Sequence, residues 1–586
     1  MKKNILYLIA ASLCVMFLAG CDDFLDTQNL TKKDTSNFPA NETDAIQMVN
    51  GIYGVMNSNI KNITEDPFML FDLASDDRLG GGSQSNTPAQ SADRLMNSSV
   101  SWLEPCWKYR YMGINRANSA IASLENPEQG ISWSSEKVRG QLLSEAYFLR
   151  AFFYFNLAQV FGSVPLVLTT EPVNNPKADP ADIYAQIASD LKASITLGPN
   201  TQYPAVGDGR ASKWSAEALM ARVYLFYTGF YKKNEIKLPA EEGGAITKDQ
   251  VVAWLEDCIQ NSGYGLVSDQ RNLWPYSNQW TAPDYPYAKN NGLKWETNEN
   301  KEIMFAVKMG NAGVSDSHDE MRFNRLPEYY GLRKTSADAF PFNTQGYSNG
   351  PVCETLWTDW SADPDYTDDV RRVGSICDRR VELPKYKGDP AKEVENTYLL
   401  AKKYVGCGAY DHADGDKLYQ AFSYFYGGAN SKQEGQMQAL VWIRFADVLL
   451  MHSELTDGKV IYNGKSGMNA IRSRAGLADK SYSLELLKKE RRYELCFEAI
   501  RWNDLRRWGD VAEIVKNQVG NHISNEQATG TYAFTKDFMQ RYTDTGGGFF
   551  KIPESQITLS EGVLEQNPGW GDGTNWSKGD LPYKFK

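Results

Sequence analysis

The sequence of 586 residues predicts an all-α fold, in which paired helices form a scaffold around a long irregular region. Apolar residues recur at helical spacing from about 41 to 231 and again from about 440 to 515. Between about 232 and 435, Gly, Pro, Asn, Asp, Trp and Tyr dominate, and the periodic pieces are short. We expect the binding residues in this loop-rich insertion, because loops held on a rigid scaffold often carry binding sites.

The first element is an apolar run from Ile5 to Gly20, which follows Lys2 and Lys3. The run is too short for the roughly 17–25 residues that a membrane-spanning helix needs. A basic start, a short apolar core and small residues at its end are typical of a secretory signal peptide. We therefore predict a signal peptide over residues 1–20; the alternative is an ordinary buried helix.

The letters LAGC, which end at Cys21, resemble the bacterial lipobox. This resemblance implies that Cys21 is the first residue of a mature lipoprotein, 21–586, and that it carries acyl chains. Each buried methylene contributes about 0.8 kcal/mol, so several chains anchor a protein firmly in a membrane. Asp22 and Asp23 resemble export signals of some Gram-negative outer-membrane lipoproteins, which implies a body that faces the cell exterior.

Two long segments illustrate the predicted helices. QLLSEAYFLRAFFYFNLAQVFGSVP has its apolar residues at helical intervals, and Gly162 followed by Pro165 provides the end. In WSAEALMARVYLFYTGFY, the small residues Ala218 and Ala221 allow a neighbouring helix to approach closely. Helix pairs that mix small and aromatic positions resemble tetratricopeptide-like repeats, although a strict repeat of about 34 residues is not detectable.

Composition excludes several classes of site. The net charge of −11 and the lack of a long Lys/Arg run argue against nucleic-acid binding. Six cysteines follow Cys21 without a C-x-x-C pair, and the four histidines are scattered, so the sequence predicts no metal site and no cofactor. An oxidising location would permit a disulfide, for which Cys353 and Cys377 are the closest pair in sequence. DHADGDKLYQAF has Phe422 where a calcium loop needs a glutamate, and we interpret it as an acidic turn.

The motifs WIRFADVLLMHSEL, MNAIRSRAGL and ERRYELCFEAIRWNDLRRWG occur in the C-terminal third, in that order. They resemble the SusD/RagB family of outer-membrane nutrient-binding lipoproteins. GINRANSAI, SEAYFLRAFFYFNLAQVFGSVPLV and GRASKWSAEALMARVYLF extend the resemblance over nearly the whole mature chain and leave its middle divergent. The resemblance implies an all-helical fold with tetratricopeptide-like pairs, display on the cell surface, and a SusC-like TonB-dependent transporter as partner.

The last motif places Arg491, Glu494, Glu498 and Arg501 on one helix face. Two glutamates four residues apart are a candidate acid/base pair, but the flanking arginines favour the ionised form of both. We therefore predict a structural network, and no catalytic motif is present elsewhere in the sequence. The other residues expected in or beside this network are Arg444, Asp447, Arg472, Arg474, Trp442, Tyr493, Phe497 and Trp508.

Candidate ligand-binding residues are aromatic, because the apolar C–H faces of sugars stack on aromatic rings. For each ring, the alternative is packing beneath its own loop. The candidates in the loop-rich insertion are Trp274, Tyr276, Trp280, Trp295, Tyr329, Trp357 and Trp360.

A second candidate lies in ASDDRLGGGSQSN, where Asp76, Asp77 and Arg78 open a Gly/Ser-rich loop. Capping of the preceding helix is the alternative role for the two acids. In proteins that this sequence resembles, an aromatic residue soon after this loop, here Trp102, lies near the ligand.

These patterns predict a surface lipoprotein, not an enzyme, that captures an oligosaccharide and delivers it to a transporter. A peptide receptor of the same type remains open, as does a purely structural subunit of the transporter. The sequence does not identify the glycan, since stacking on rings tolerates many sugars.

Overall fold

The computed structural model describes residues 38–58, 66–98, 103–205, 209–309, 324–334, 336–389, 392–393, 395–427, 437–525, 528–531, 538–571 and 575–576. The predicted signal peptide, Cys21, Asp22, Asp23 and Trp102 lie outside these residues.

The N-terminal part is a succession of helices, and consecutive long helices pack against each other. α4 contacts α5, α5 contacts α6, α6 contacts α7, and α7 contacts α8. α8 lies beyond residue 231, so this helical stack continues into the stretch that was predicted to be loop-rich. The helices are α1 (Glu42–Ser58), α2 (Pro67–Leu73), α3 (Thr87–Asp93), α4 (Leu103–Glu125), α5 (Glu136–Phe161), α6 (Pro180–Leu197), α7 (Lys213–Tyr231) and α8 (Lys248–Asn261).

Local sequence explains the bounds of α5. The Ser135 side chain accepts a hydrogen bond from the Val138 N–H at the start, and Gly162, at φ 73°, ends the helix. α4 approaches α5 closely at Gly113, where an added Cβ would lie 2.3 Å from the Phe153 ring. The predicted helix pairs and the all-α class are confirmed.

The middle of the chain contains short helices and two-stranded ladders. β4 pairs with β9 in antiparallel fashion, which joins the middle of the chain to the C-terminal motifs. The elements are β2 (Ile236–Lys237), β3 (Ala245–Ile246), α9 (Pro286–Asn290), β4 (Ile303–Val307), α10 (Leu326–Tyr330), α11 (Glu354–Ala362), α12 (Val370–Ser375), β5 (Ile376–Asp378), α13 (Arg379–Glu382), β6 (Leu399–Ala401), β7 (Gly408–Asp411), β8 (Lys417–Gln420), α14 (Ala421–Phe425) and β9 (Leu440–Arg444).

The C-terminal third returns to helices, and α15 packs against α8, α16 and α17, while α18 packs against α7. Two further ladders lie here, and β14 pairs in parallel with β1 (Asn97–Ser98) from the N-terminal part. The elements are α15 (Phe445–Leu455), β10 (Val460–Tyr462), β11 (Lys465–Ser466), α16 (Gly467–Arg474), α17 (Leu484–Leu495), α18 (Arg501–Trp508), α19 (Ala512–Gln518), β12 (His522–Asn525), β13 (Ala528–Thr531), α20 (Phe538–Asp544), α21 (Glu554–Leu559) and β14 (Asn575–Trp576).

The described part of the chain contains neither a disulfide nor a group of side chains that could hold a metal ion. All six described cysteines are buried free thiols, so the disulfide considered between Cys353 and Cys377 is not formed. No cluster of metal-ligating side chains occurs among the described residues. Within the same residues, no helix combines the length and the apolar character needed to span a bilayer. The acidic stretch around His412 is a turn between β7 and β8, as predicted.

Candidate functional site

The charged residues of the C-terminal motifs form a buried network that connects separate parts of the chain. Arg444 donates hydrogen bonds to Glu302 at 2.8 Å, Glu494 at 2.6 Å and Glu498 at 2.6 Å. Arg474 contacts Glu302 and Glu494, each at 2.5 Å. Burial by itself raises the pKa of Glu494, but the surrounding arginines outweigh it and hold that pKa well below its usual range.

Asp447 is a second centre of this network. It accepts hydrogen bonds from Arg222 of α7 at 2.6 Å and from Arg491 of α17 at 2.8 Å. Burial opposes ionisation of Asp447, yet the two arginines lower its pKa to about 2. Because Asp447 and Glu494 remain ionised, neither is suited to donate a proton. The predicted structural network is confirmed, but the prediction that one helix face carries its residues is wrong. α17 ends at Leu495, so Glu498 lies on a non-helical segment and Arg501 begins α18.

The loop residues Asp76, Asp77 and Arg78 are buried parts of the same scaffold. Arg501 contacts Asp76 at 2.8 Å, and Arg492 contacts Asp77 at 2.8 Å. Burial raises the pKa of Asp77, whereas Arg492 and Arg501 overcome burial and lower that of Asp76. The two acids therefore connect the N-terminal part of the chain to the last motif, and both side chains are buried.

Arg78 is held within this junction as well. Its guanidinium pairs with Asp72 at 2.6 Å and lies 3.9 Å from the centre of the Tyr330 ring and 4.6 Å from that of Phe497. These contacts bury Arg78 within the scaffold, and its contact with a ligand stays a prediction.

Four of the candidate rings, Trp274, Tyr276, Tyr329 and Trp360, are also buried. Trp360 is stacked on Tyr493, with ring centres 4.3 Å apart, and its indole N–H donates to Asp369. The Tyr276 hydroxyl donates to a backbone carbonyl at 2.8 Å. These four rings therefore fit the alternative considered above, in which a ring packs in the interior. Other segments of the chain cover their faces.

Trp357 is half-buried and faces the protein on one side. The Arg372 guanidinium of α12 lies 4.4 Å from the centre of its ring. This contact places Trp357 on α11 beside the core around Trp360 and Tyr493.

Trp280 and three rings from the β7–β8–α14 segment form an exposed surface, the aromatic platform. The Trp280 ring is stacked on Phe425, with centres 4.4 Å apart and planes 15° apart. Phe425 meets Tyr424 edge to face, and Tyr424 is stacked on Tyr419 at 3.7 Å. Trp280 is 40% exposed and Tyr424 46% exposed, so the platform presents aromatic area to solvent at these two rings.

Acidic side chains orient the platform. The Tyr419 hydroxyl donates to Asp414 at 2.5 Å, and the Tyr424 hydroxyl donates to Asp411 at 2.8 Å. The bond to Asp411 raises the pKa of Tyr424 to about 12. Both hydroxyls are therefore protonated at neutral pH, and the rings are fixed from one edge.

His412 connects this hairpin to the loop that carries Trp280. Its two ring nitrogens lie 2.6 Å from Asp416 and 3.0 Å from Asp284. The hydrogen bond with Asp416, followed by the charge of Asp284, raises the pKa of His412. The platform is thus joined from two segments that are more than a hundred residues apart in sequence.

A cleft of ≈ 660 Å³ lies beside the platform, within the size range of small-molecule sites. Trp295 lies at its edge and meets Phe422 and Tyr426 in edge-to-face contacts. The structure thus brings Trp280 and Trp295, from the predicted set, to adjoining parts of one surface. The cleft is lined by Ser277, Gln279, Ala282, Pro283, Ala288, Lys289, Gly292, Leu293, Lys294, Trp295, Thr297 and Tyr426.

Sequence reasoning did not select Tyr419, Tyr424, Phe425 and Tyr426. The signal that could have found them is SYFYGG, three consecutive aromatic residues before a glycine pair within the loop-rich insertion. In a chain with 12% aromatic residues this density, outside a long helix, indicates exposed rings.

Two family models match this chain. The model described as the SusD family matches residues 301–570, and the model described as starch-binding, associating with outer membrane, matches residues 23–225. The two stretches do not overlap and together account for most of the chain. The protein belongs to the SusD/RagB family. The description of the second model associates the family with the outer membrane.

Similar proteins occur in several Bacteroides species. A SusD-like protein of Bacteroides ovatus is 24% identical over 482 residues, which cover 77% of this chain and 74% of the relative. A surface glycan-binding protein A from Bacteroides fluxus is 22% identical, with a TM-score of 0.68 over 91% of this chain and 100% of that one. The same-named protein from Bacteroides thetaiotaomicron, in complex with laminarihexaose, is 17% identical, with a TM-score of 0.66 over 89% and 98%. These structures establish a shared fold, and their names describe binding proteins.

Proposed function

We propose that this protein is a cell-surface glycan-binding lipoprotein that captures an oligosaccharide and delivers it to a SusC-like TonB-dependent transporter. The aromatic platform is the observation that carries the proposal. Its exposed rings, Trp280 and Tyr424, offer aromatic area for the apolar C–H faces of successive sugar rings.

The adjoining cleft adds polar groups and further aromatic rings to the platform. Gln279 and Thr297 supply polar groups that bond sugar hydroxyls, while Trp295 and Tyr426 supply further ring faces. A few placed polar groups among apolar walls are typical of sites that orient a small ligand. The solved relatives named as glycan-binding, one of them with laminarihexaose, support the same class of ligand.

A glycan array, run alongside a peptide mixture, tests the ligand class. We expect the purified protein to retain oligosaccharides and to ignore the peptides. Retention of peptides alone would replace this proposal with the peptide receptor, and retention of neither would favour a structural subunit. Incubation with the bound polysaccharide should release no new reducing ends, because we propose binding without catalysis.

The membrane attachment is proposed from Cys21. Replacement of Cys21 by Ala should abolish labelling with palmitate and leave the precursor uncleaved. Unchanged labelling would contradict the anchor. Replacement of Asp22 and Asp23 by Asn should reduce cleavage by external protease at equal total amount, if the two acids direct export to the outer leaflet.

The transporter is proposed from the family resemblance. A stable complex should bury on the order of 1,000 Å² or more, so gentle detergent extraction should retain a large TonB-dependent protein. Failure to recover such a protein after crosslinking in intact cells would remove the delivery step.

A further inference from the structure

The cleft beside the aromatic platform contains two lysines and no acidic residue among those that line it. Lys289 belongs to the last turn of α9, and Lys294 directly precedes Trp295. Both side chains are exposed, and neither ammonium group has an ion pair within the part of the chain that the structure describes.

Two other cations in neighbouring segments do pair with carboxylates. Arg271 contacts Asp269 at 2.7 Å, and Lys402 contacts Glu382 at 2.9 Å. The chain has 73 acidic and 62 basic residues, so carboxylates are more numerous than cations. The two cleft lysines nevertheless have no carboxylate partner among the described residues. The nearby Glu296 is not among the residues that line the cleft. The cleft is therefore a local positive site on an acidic protein, and such a site attracts anions.

We propose that this cleft selects glycans that carry negative charge, either uronic acid carboxylates or sulfate esters. This inference rests on the proposed glycan-binding function. A sugar ring packs against Trp295 and Tyr426, and Lys289 and Lys294 contact its anionic group. A lysine ammonium is a compact charge with three rotatable donors, so it accepts either type of oxyanion without the planar geometry that arginine imposes.

The test is calorimetry on the whole mature protein with matched oligosaccharide pairs. One pair is an oligogalacturonate and its carboxyl-reduced form; the other is a sulfated galactan oligosaccharide and its desulfated form. We expect the charged member of at least one pair to bind about tenfold or more tightly than its neutral partner. This preference should shrink as the salt concentration rises from about 0.05 to about 0.5 M, because salt screens exposed charges. The pair that shows the preference identifies the anionic group.

Two double variants complete the test. Lys289→Gln with Lys294→Gln should bring the charged-to-neutral affinity ratio close to one. Lys237→Gln with Lys248→Gln makes the same charge change at exposed lysines outside the cleft and should leave the ratio as in the parent protein. Thermal melts show whether each variant is folded.

Equal affinity for charged and neutral members, or an unchanged ratio in the cleft variant, would overturn the inference. Binding of the neutral members alone rejects it and leaves the proposed function intact. Absence of binding to every oligosaccharide in the calorimetry and on the array rejects both.

Discussion

Trp360 and Trp280 lie in the same predicted set of ligand-binding rings, but the structure gives them opposite surroundings. Trp360 is fully buried, stacked on Tyr493 and hydrogen-bonded through its N–H to Asp369. Trp280 is stacked on Phe425 on one side only and remains 40% exposed. The difference shows that a tryptophan in this region can lie either in the core or at the surface. Whether another segment packs over its ring decides between the two.

Charged residues also differ between the buried core and the exposed surface. Around Arg444 and Glu494, the carboxylates and arginines satisfy each other inside the scaffold. Around the platform, Asp411 and Asp414 accept hydrogen bonds from the hydroxyls of Tyr424 and Tyr419. Buried ion pairs fix how helices meet, whereas these surface acids fix the orientation of the platform tyrosines.

The largest effect is expected in the buried network. Arg444→Met removes the guanidinium that pairs with Glu302, Glu494 and Glu498 together, and we expect a loss of about 3–5 kcal/mol in the free energy of unfolding. Urea denaturation measures it. Lys516→Gln removes an exposed ion pair with Glu513 and serves as control, with no change beyond error. A parent-like Arg444 variant would show that the network does not stabilise the scaffold.

A direct comparison of the two tryptophans comes next. Trp360→Ala opens a cavity in the core and should cost about 3–5 kcal/mol of stability. Trp280→Ala removes one exposed stacking contact and should cost about 1 kcal/mol. Thermal and urea unfolding of both variants provide the measurement. Equal losses would contradict the division between a core ring and a platform ring.

The buried network should also respond to acid. The pKa of Asp447 falls from an ordinary value of 3.8 to about 2 in the folded protein, so its ion pairs stabilise the fold above pH 4. That contribution, about 2 kcal/mol, is lost as the pH falls from about 4 to about 2. In Asp447→Asn, the decline of unfolding free energy over this range should be shallower. An identical slope in both proteins would assign the acid response to other groups.

The exposed rings, whose loss should cost little stability, should have the larger effect on ligand binding. Trp280→Ala and Trp295→Ala should each weaken oligosaccharide binding about tenfold, or about 1.4 kcal/mol, because each removes a face on which a sugar packs. Trp357→Ala is a matched control in the same part of the chain, since its ring faces Arg372. Calorimetry with the glycan identified on the array provides the measurement. Parent-like binding by both the Trp280 and the Trp295 variant would remove the platform and its cleft as the site.

The smallest effect concerns the cysteines. All six described thiols are free and buried, so a reducing agent should not change the melting temperature of the protein. A lower melting temperature after reduction would indicate a disulfide and contradict the structure.

Much of the scaffold was predictable because its signals are local. The end of α5 at Gly162 and the helical face that holds Arg491 and Glu494 follow from spacing and from single residues. The candidate site was predictable only in part. Of the rings predicted to bind a ligand, Trp280 and Trp295 lie at the surface, whereas other segments cover Trp274 and Trp360. Direct contact of any ring with a glycan remains a prediction.

The sequence by itself determined the helical class and the family motifs, since each depends on residues within a few turns of one another. The arginines that keep Glu494 ionised, Arg444 and Arg474, come from other segments of the chain. The tertiary structure decided which rings and acids face solvent. Asp76 is covered by Arg501, while Trp280 meets Phe425 and leaves its other face open. Exposure depends on contacts between residues more than a hundred positions apart, and local spacing carries no information about them.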